Sequence, residues 1–238
     1  MPNFVNIAGS TGFSSAADPV HAIGQQAYTA DGRRYRYVLA GELLVAGNAL
    51  QAPVEDTDHD NITVRATAIG ATSLLITTGS GGGALDANEY AGGLVTTDFT
   101  TGLGYAYRIK GHAAISASTD GAIELTADDP IQVALTSSSK VTLVKNQYKR
   151  VIQMPASTLT NIIVGGCIYP IASGSYGWIQ TNGAGASLIE DTPACGQPLT
   201  VSDTVGALGV HSAELPNVAC MMVTGRDDRV LPVYWYLD

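Results

Sequence analysis

Three aspartates at alternate positions, Asp56, Asp58 and Asp60, form the pattern in this sequence that most resembles a metal site. Alternating carboxylates open the calcium loops of EF-hand proteins, where they supply oxygen ligands. The glycine expected at the sixth loop position and the glutamate expected at the twelfth are missing, because Asn61 and Thr67 stand there. We therefore expect a solvated acidic turn, with calcium held by the three aspartates as the alternative.

The other residues that could take part in catalysis do not form a recognisable set. Glu124, with Asp128 or Asp129, could supply the two carboxylates of a glycosidase. Adjacent carboxylates beside Pro130 are, however, typical turn formers. No Gly-x-Ser-x-Gly nucleophile motif is present. The four histidines are His21, His59, His112 and His211, and no two of them have the spacing of metal ligands. The sequence thus predicts a protein that is not an enzyme and needs no cofactor.

The composition predicts an all-β protein. Charged residues make up 14% of the 238 residues and glycine occurs 27 times, which favours short strands and tight turns over amphipathic helices. The formal net charge of −9 disfavours nucleic-acid binding, because phosphate contacts need clustered Lys and Arg. No apolar run approaches the roughly 20 residues of a membrane helix, and we expect no signal peptide from the first residues.

The cysteines are odd in number and widely spaced, at Cys167, Cys195 and Cys220. A disulfide framework is therefore not expected. Each cysteine stands among small or apolar neighbours, which predicts three buried thiols.

Residues 162–183 predict a central β-hairpin. An apolar, β-branched run ends at Pro170, residues 172–175 are turn formers, and a second strand carries Trp178. We expect Trp178 to pack in the core, because large aromatic side chains contribute chiefly buried area. Residues 184–190 predict a separate strand after a glycine turn.

Further strand pairs follow from alternating apolar residues on either side of turn signals. The pairs are residues 23–28 with 33–39, 62–68 with 73–78, 104–112 with 121–126, and 199–202 with 207–210. We expect β-sandwich or barrel-like modules of short antiparallel strands. Residues 19–84 and 147–238 would form the main domain, and residues 85–146 an inserted module.

Residues 1–18 predict an extended N-terminal arm. Their sparse apolar side chains suggest that the arm orders only against a neighbouring molecule. The candidate contact residues are Phe4, Val5, Ile7 and Phe13.

Several segments resemble small β-rich structural proteins of tailed bacteriophages. The Tyr176-Gly177-Trp178 strand with its glycine loop is one, and the segment at residues 196–207 is another. Residues 23–50 and 87–131 are similar to other parts of these virion proteins. The resemblance covers most of residues 20–210.

The resemblance implies a head decoration, or cement, protein. Such a protein binds the lattice of the major capsid protein on the outer surface of the virion, which assembles in the host cytoplasm. We expect a homotrimer around a local threefold axis, with no catalytic residues and no nucleic-acid or membrane partner.

The abundance of tyrosine keeps a second hypothesis open. Eleven tyrosines against three phenylalanines suit surfaces where one end of the side chain is apolar and the other is wet. Subunit interfaces and sugar-binding faces share that property. The alternative is therefore a receptor- or carbohydrate-binding module of a phage tail fibre or spike.

Overall fold

The computed structural model describes residues 5–80, 83–210 and 215–238. Strand accounts for 43% and helix for 3% of the structure, so the predicted all-β class with barrel-like modules is confirmed. The described helices are two short 3-10 turns, at Gly9–Gly12 and Thr57–His59. None of the described segments forms a helix with the length and hydropathy of a membrane span.

The strands are numbered in chain order. The first eleven are β1 (Val5–Asn6), β2 (Ser15–Ala16), β3 (Gln26–Tyr28), β4 (Arg34–Ala40), β5 (Ala49–Gln51), β6 (Ile62–Val64), β7 (Ser73–Thr77), β8 (Leu94–Phe99), β9 (Ala106–His112), β10 (Asp120–Leu125) and β11 (Lys140–Val144). The remaining strands are β12 (Lys149–Gln153), β13 (Ile163–Cys167), β14 (Tyr176–Ile189), β15 (Pro198–Val201), β16 (Leu208–Val210), β17 (Ala219–Met221) and β18 (Arg229–Tyr236).

The chain divides into two compact units, residues 1–54 with 147–238, and residues 55–146. The sequence predicted the correct end for the inserted unit, residue 146, but placed its start at residue 85. That start is wrong, because the unit begins at residue 55. The β6–β7 hairpin belongs to the inserted unit, because β6 pairs with β11 and β7 with β10. Local patterns predict a hairpin, whereas its long-range partners decide which unit it joins.

The inserted unit is a closed six-stranded barrel with the order β10-β7-β6-β11-β8-β9. Closure pairs every strand on both sides, which removes the exposed backbone edges of an open sheet. The alternating inward residues form one core that includes Ile76, Val95, Ile109, Ile123 and Val141. The predicted pairings of β6 with β7 and of β9 with β10 are both confirmed.

The long strand β14 organises the other unit. Its first half pairs with β4 and β13, which closes a ring β4-β12-β5-β13-β14. Its second half pairs with β18 and β16, which closes a second ring β14-β16-β15-β17-β18. The predicted hairpin of β13 and β14 is confirmed, with Gly166 opposite Gln180.

The strand predicted separately at residues 184–190 is the continuation of β14. Asn182 and Gly183, which look like a turn in the sequence, lie where β14 changes partners. The pairing with β4 shifts register between Gln180 and Asn182, and Gly183 has a φ of 90°. A glycine adopts this conformation at no steric cost, so β14 bends there without ending.

The N-terminal segment packs on its own unit. β1 pairs with β3 in parallel, and β2 pairs with the start of β14. The segment covers an aromatic cluster of Tyr35, Tyr37 and Trp178, and Ile7 joins this cluster. The expectation of a free arm is therefore wrong for the described residues from Val5 onward, because the aromatic face of β4 and β14 supplies the neighbour that orders them.

Candidate functional site

The four candidate contact residues of the N-terminal segment separate in the structure. Ile7 is 5% exposed, and Val5 is half-buried against the same aromatic cluster, so both act within the chain's own fold. Phe13 is 52% exposed and stays available to a partner. Phe4 lies outside the described residues.

The acidic turn is organised as a 3-10 helix. Asp56 caps it by accepting a hydrogen bond from the backbone N–H of Asp58, at 3.2 Å. A second oxygen of Asp56 lies 3.4 Å from Nδ1 of His59. Throughout residues 5–80, 83–210 and 215–238, no three His, Cys, Asp or Glu side chains are grouped so that they could hold a metal ion. The calcium alternative for Asp56, Asp58 and Asp60 is therefore not supported by this arrangement.

A buried polar network connects residues that are far apart in sequence. Nδ1 of His59 lies 2.5 Å from the hydroxyl of Tyr90, and the backbone N–H of Tyr90 donates to Nε2 of His112 at 3.1 Å. His112 in turn donates from Nδ1 to the carbonyl of Ala113 at 2.9 Å. Burial, helped by the charges of nearby carboxylates such as Glu89, raises the pKa of Tyr90 well above its usual range.

Sequence spacing did not reveal this network, because a barrel brings its members together from separate strands and loops. An Asp–His–Tyr arrangement of this kind could transfer protons if substrate reached it. His59 is fully buried and Tyr90 is 1% exposed, so substrate has no access to either group. The network therefore links the 3-10 turn that carries His59 to Tyr90 and to His112 of β9.

The carboxylates considered for glycoside hydrolysis have separate structural partners. Glu124 lies 3.4 Å from Nζ of Lys110 across the β9–β10 pair, and both side chains are exposed. Asp129 accepts a hydrogen bond from the backbone N–H of Arg108 at 2.7 Å. These contacts fit a surface ion pair and a turn. The open depression beside Lys110 and Glu124, of about 570 Å³, has no titrating pair of carboxylates facing one another.

The prediction of three buried thiols is correct only for Cys167. This residue is buried, and burial raises the pKa of its thiol to about 11. Cys195 is exposed and Cys220 is half-buried. All three are free. Small neighbours in the sequence did not reveal that Cys195 lies in a surface loop.

The largest exposed apolar side chains of the barrel include a group at the end of one hairpin. We name this group the β8–β9 tip, and it consists of Phe99, Leu103 and Tyr105, which are 58%, 65% and 42% exposed. Thr97 inside the hairpin donates its backbone N–H to the carbonyl of Tyr105 at 2.8 Å, which holds the tip closed. Apolar groups presented on an ordered hairpin are suited to contact with another molecule.

A second exposed apolar surface lies on the ring β14-β16-β15-β17-β18. Along β18 the inward residues include Val233 and Trp235, while Val230, Tyr234 and Tyr236 point outward. The rings of Tyr234 and Tyr236 lie side by side, with centroids 6.2 Å apart.

The described residues therefore define an all-β protein of three closed strand rings, with exposed apolar side chains at the β8–β9 tip and along β18. Comparisons of the chain with protein-family models, curated proteins and solved structures found no match.

Proposed function

We propose that this chain is a bacteriophage virion structural protein, a non-enzymatic head decoration protein that binds the assembled lattice of the major capsid protein. The observation that carries the proposal is which side chains are exposed and which are buried. Apolar side chains such as Leu103 and Phe13 are exposed, while the polar side chains of His59 and Tyr90 are buried and contact each other. Exposed apolar surface of this kind suits contact with other proteins.

The resemblance of the Tyr176-Gly177-Trp178 segment to tailed-phage structural proteins supports the same function. In the proposed mechanism, the protein binds the assembled lattice and not its free subunits. Binding then stabilises the lattice by mass action, by about 2.7 kcal/mol per site at a free concentration one hundred times Kd. A homotrimer at a local threefold axis on the outer surface of the head is part of the proposal. No cofactor, nucleic acid or membrane takes part.

Two separate surfaces are proposed to contact the capsid, the β8–β9 tip on the inserted unit and Phe13 on the other unit. Val5 and Ile7, first considered for this role, are used by the chain's own fold. Replacing Leu103 or Phe13 by aspartate would place a charge at the contact without disturbing a core, because both side chains are more than half exposed. We expect such variants to keep their thermal stability and to lose affinity for heads.

Co-sedimentation with purified heads assembled without this chain tests the proposal. Wild-type protein should saturate the heads at micromolar concentrations, and Leu103→Asp or Phe13→Asp should weaken binding at least tenfold, an affinity change of about 1.4 kcal/mol. Ile69→Asp is the matched control, because Ile69 is an apolar residue in an exposed turn with 67% exposure. Absence of wild-type binding to heads would disprove a decoration role.

A receptor- or carbohydrate-binding module is the second candidate. The adjacent tyrosines Tyr234 and Tyr236 favour it, because aromatic rings side by side can stack on sugar rings. Sugar recognition also needs polar groups beside the rings to bind hydroxyls, and the residues facing Tyr234 across the sheet are Ala184 and Cys220. Specific binding on a glycan array would favour this candidate over the decoration role.

A further inference from the structure

The β8–β9 tip lies at the end of its barrel opposite to the point where the chain leaves this unit. The chain leaves after residue 146, two residues beyond Val144, which is the last residue of β11. Phe99 of the tip pairs with Lys140, which is the first residue of β11. Four strand steps, about 13 Å, therefore separate Phe99 from the end of β11 that leads to the exit.

The tip belongs to two segments that carry no charge. Residues 99–107 and 130–139 contain no Asp, Glu, Lys or Arg, although 14% of the chain is charged. The charges that border these segments in the sequence have both signs, and they are Asp98, Arg108, Asp128, Asp129 and Lys140. Three acidic residues against two basic ones produce no strong field of one sign. Electrostatic attraction therefore gives the tip little preference for a charged partner.

A buried serine fixes the backbone of the tip. Ser139 is fully buried, and its hydroxyl donates to the carbonyl of Thr101 at 2.8 Å and accepts the backbone N–H of Thr136 at 3.2 Å. A second hydrogen bond runs from the hydroxyl of Thr100 to the carbonyl of Ser138, at 3.1 Å. Two hydrogen bonds thus tie the tip to the neighbouring loop, and neither involves the exposed apolar side chains.

Buried residues also support the tip from below. Gly102 has a φ of 88°, and a β-carbon there would lie 2.6 Å from the side chain of Leu135, so the loop packs closely on Leu135. The ring of Tyr105 lies parallel to that of Tyr107, with centroids 6.2 Å apart. Tyr107 is 1% exposed, and its hydroxyl accepts the backbone N–H of Gln132 at 3.2 Å. A loop held in this way has little conformational entropy left to lose on binding.

We propose that the β8–β9 tip is a preformed knob that inserts into an uncharged apolar pocket of the capsid lattice, with Ser139 as its positioning residue. This inference rests on the decoration function proposed above. Three exposed side chains cannot cover the roughly 800 Å² per partner of a standard interface, but they suit the central anchors that carry most of the binding free energy. A lipid surface fits less well, because attraction to anionic headgroups needs a cluster of basic residues.

The salt dependence of head binding tests the chemistry of the pocket. In the co-sedimentation assay, the dissociation constant of the wild type should change by less than about threefold between about 50 and 500 mM NaCl, because an apolar contact has no charges to screen. A rise of about tenfold or more would mean charged contacts and would overturn the proposal. Neutral phosphatidylcholine vesicles should not bind the protein. Binding to them that Leu103→Asp abolishes would assign the tip to lipid instead.

Ser139→Ala tests the positioning role without changing an exposed side chain. Amide hydrogen exchange at Leu103 and Gly104 should become faster in the free protein, and the dissociation constant for heads should rise about fivefold, because binding must then order the loop. Ser187→Ala is the matched control. Ser187 is also fully buried, and its hydroxyl donates to the carbonyl of Gly47 at 3.3 Å in the other unit. It should leave both measurements unchanged.

Thr100→Val is a second variant, which removes the other hydrogen bond of the tip at an exposed position. Thermal unfolding verifies that each variant keeps its fold. Unchanged head binding by both Ser139→Ala and Thr100→Val would overturn the proposal, and so would strong salt dependence. Either result, with wild-type protein still bound to heads, leaves the decoration role intact. A wild type that does not bind heads removes the decoration role and this inference together.

Discussion

The indole ring of Trp235 packs directly against the backbone of Gly166. A β-carbon at Gly166 would lie 2.6 Å from a ring carbon of Trp235, which is closer than real β-carbons approach. Gly166 belongs to β13 of one strand ring and Trp235 to β18 of the other, so this contact joins the two rings that share β14. Trp235 is fully buried and cannot move aside into solvent.

Gly166→Ala should therefore destabilise the protein by about 1–3 kcal/mol, the usual cost of overpacking a core. Urea unfolding monitored by circular dichroism measures the change. Gly79→Ala is the control, because a β-carbon at Gly79 meets no atom within 4 Å. Equal stability of the two variants would mean that the ring of Trp235 does not lie against Gly166.

Trp178→Ala should cost about 3–5 kcal/mol of unfolding free energy, because it leaves a cavity in the aromatic cluster. The Trp178 ring lies 5.0 Å from that of Tyr37 and 5.1 Å from that of His21. The substitution therefore removes the contacts of β14 with Tyr37 of β4 and with the loop that carries His21. Tyr105→Ala, at an exposed tyrosine, should change stability little. A Trp178→Ala protein with wild-type stability but no head binding would instead place Trp178 at an interface.

Ile7→Ala should destabilise the protein by about 2–4 kcal/mol, whereas Phe13→Ala should not. Ile7 is 5% exposed and Phe13 is 52% exposed, although both lie in the segment first predicted as a free arm. Denaturant titrations of the two variants compare them directly. If Ile7→Ala unfolds at the wild-type midpoint, the N-terminal segment does not stabilise its own unit.

Asp238→Asn should destabilise the protein by about 1–3 kcal/mol at neutral pH, as expected for lost hydrogen bonds to a charged group. Arg36 donates two hydrogen bonds to Asp238, at 2.8 and 2.7 Å. Burial alone would raise the pKa of Asp238, but the hydrogen bonds from Arg36 and Thr181 and the nearby arginine charges outweigh it, so the pKa is lowered.

A lowered carboxylate pKa makes this stabilisation depend on pH in a defined direction. It is fully present above the unfolded-state pKa of about 3.9 and is lost as the pH falls through the lower folded-state pKa. The difference between wild type and Asp238→Asn should thus be constant near neutrality and shrink below about pH 4. Asp120→Asn, which removes an exposed ion pair with Arg65, is the control and should have little effect. A difference that grows on acidification would contradict this assignment.

Alkylation should distinguish the cysteines in the native protein. Cys195 is exposed and should react with iodoacetamide first, whereas Cys167 is buried and its raised pKa keeps it protonated at pH 8. Peptide mass spectrometry after timed labelling follows each site. Denaturation in urea should make the two rates similar, and rapid native labelling of Cys167 would show that its strand opens.

Much of the strand pattern follows from short-range sequence signals. Asp31-Gly32 between alternating residues predicts the β3–β4 hairpin, and the structure pairs Ala27 with Tyr35 there. The hairpin of β6 and β7 also occurs as predicted. These elements are predictable because turn chemistry and the two-residue period of a strand act over a few residues.

The candidate sites were less predictable than the strands. Nothing in the spacing of His59, Tyr90 and His112 indicates that they meet, because barrel closure brings them together. The continuation of β14 through Gly183 was missed for a related reason. A glycine beside an asparagine has the same local appearance in a turn and in a strand that bends between two sets of partners.

By itself, the sequence determined the all-β class, most hairpins and the burial of Trp178, since these depend on residue type and local period. Only the tertiary structure decided which unit holds the β6–β7 hairpin, that Ile7 of the N-terminal segment is buried in the aromatic cluster, and that Tyr234 and Tyr236 lie side by side on the outside of β18. Those outcomes depend on long-range strand partners. Pairing energy is shared among many weak contacts, so no single stretch of sequence specifies them.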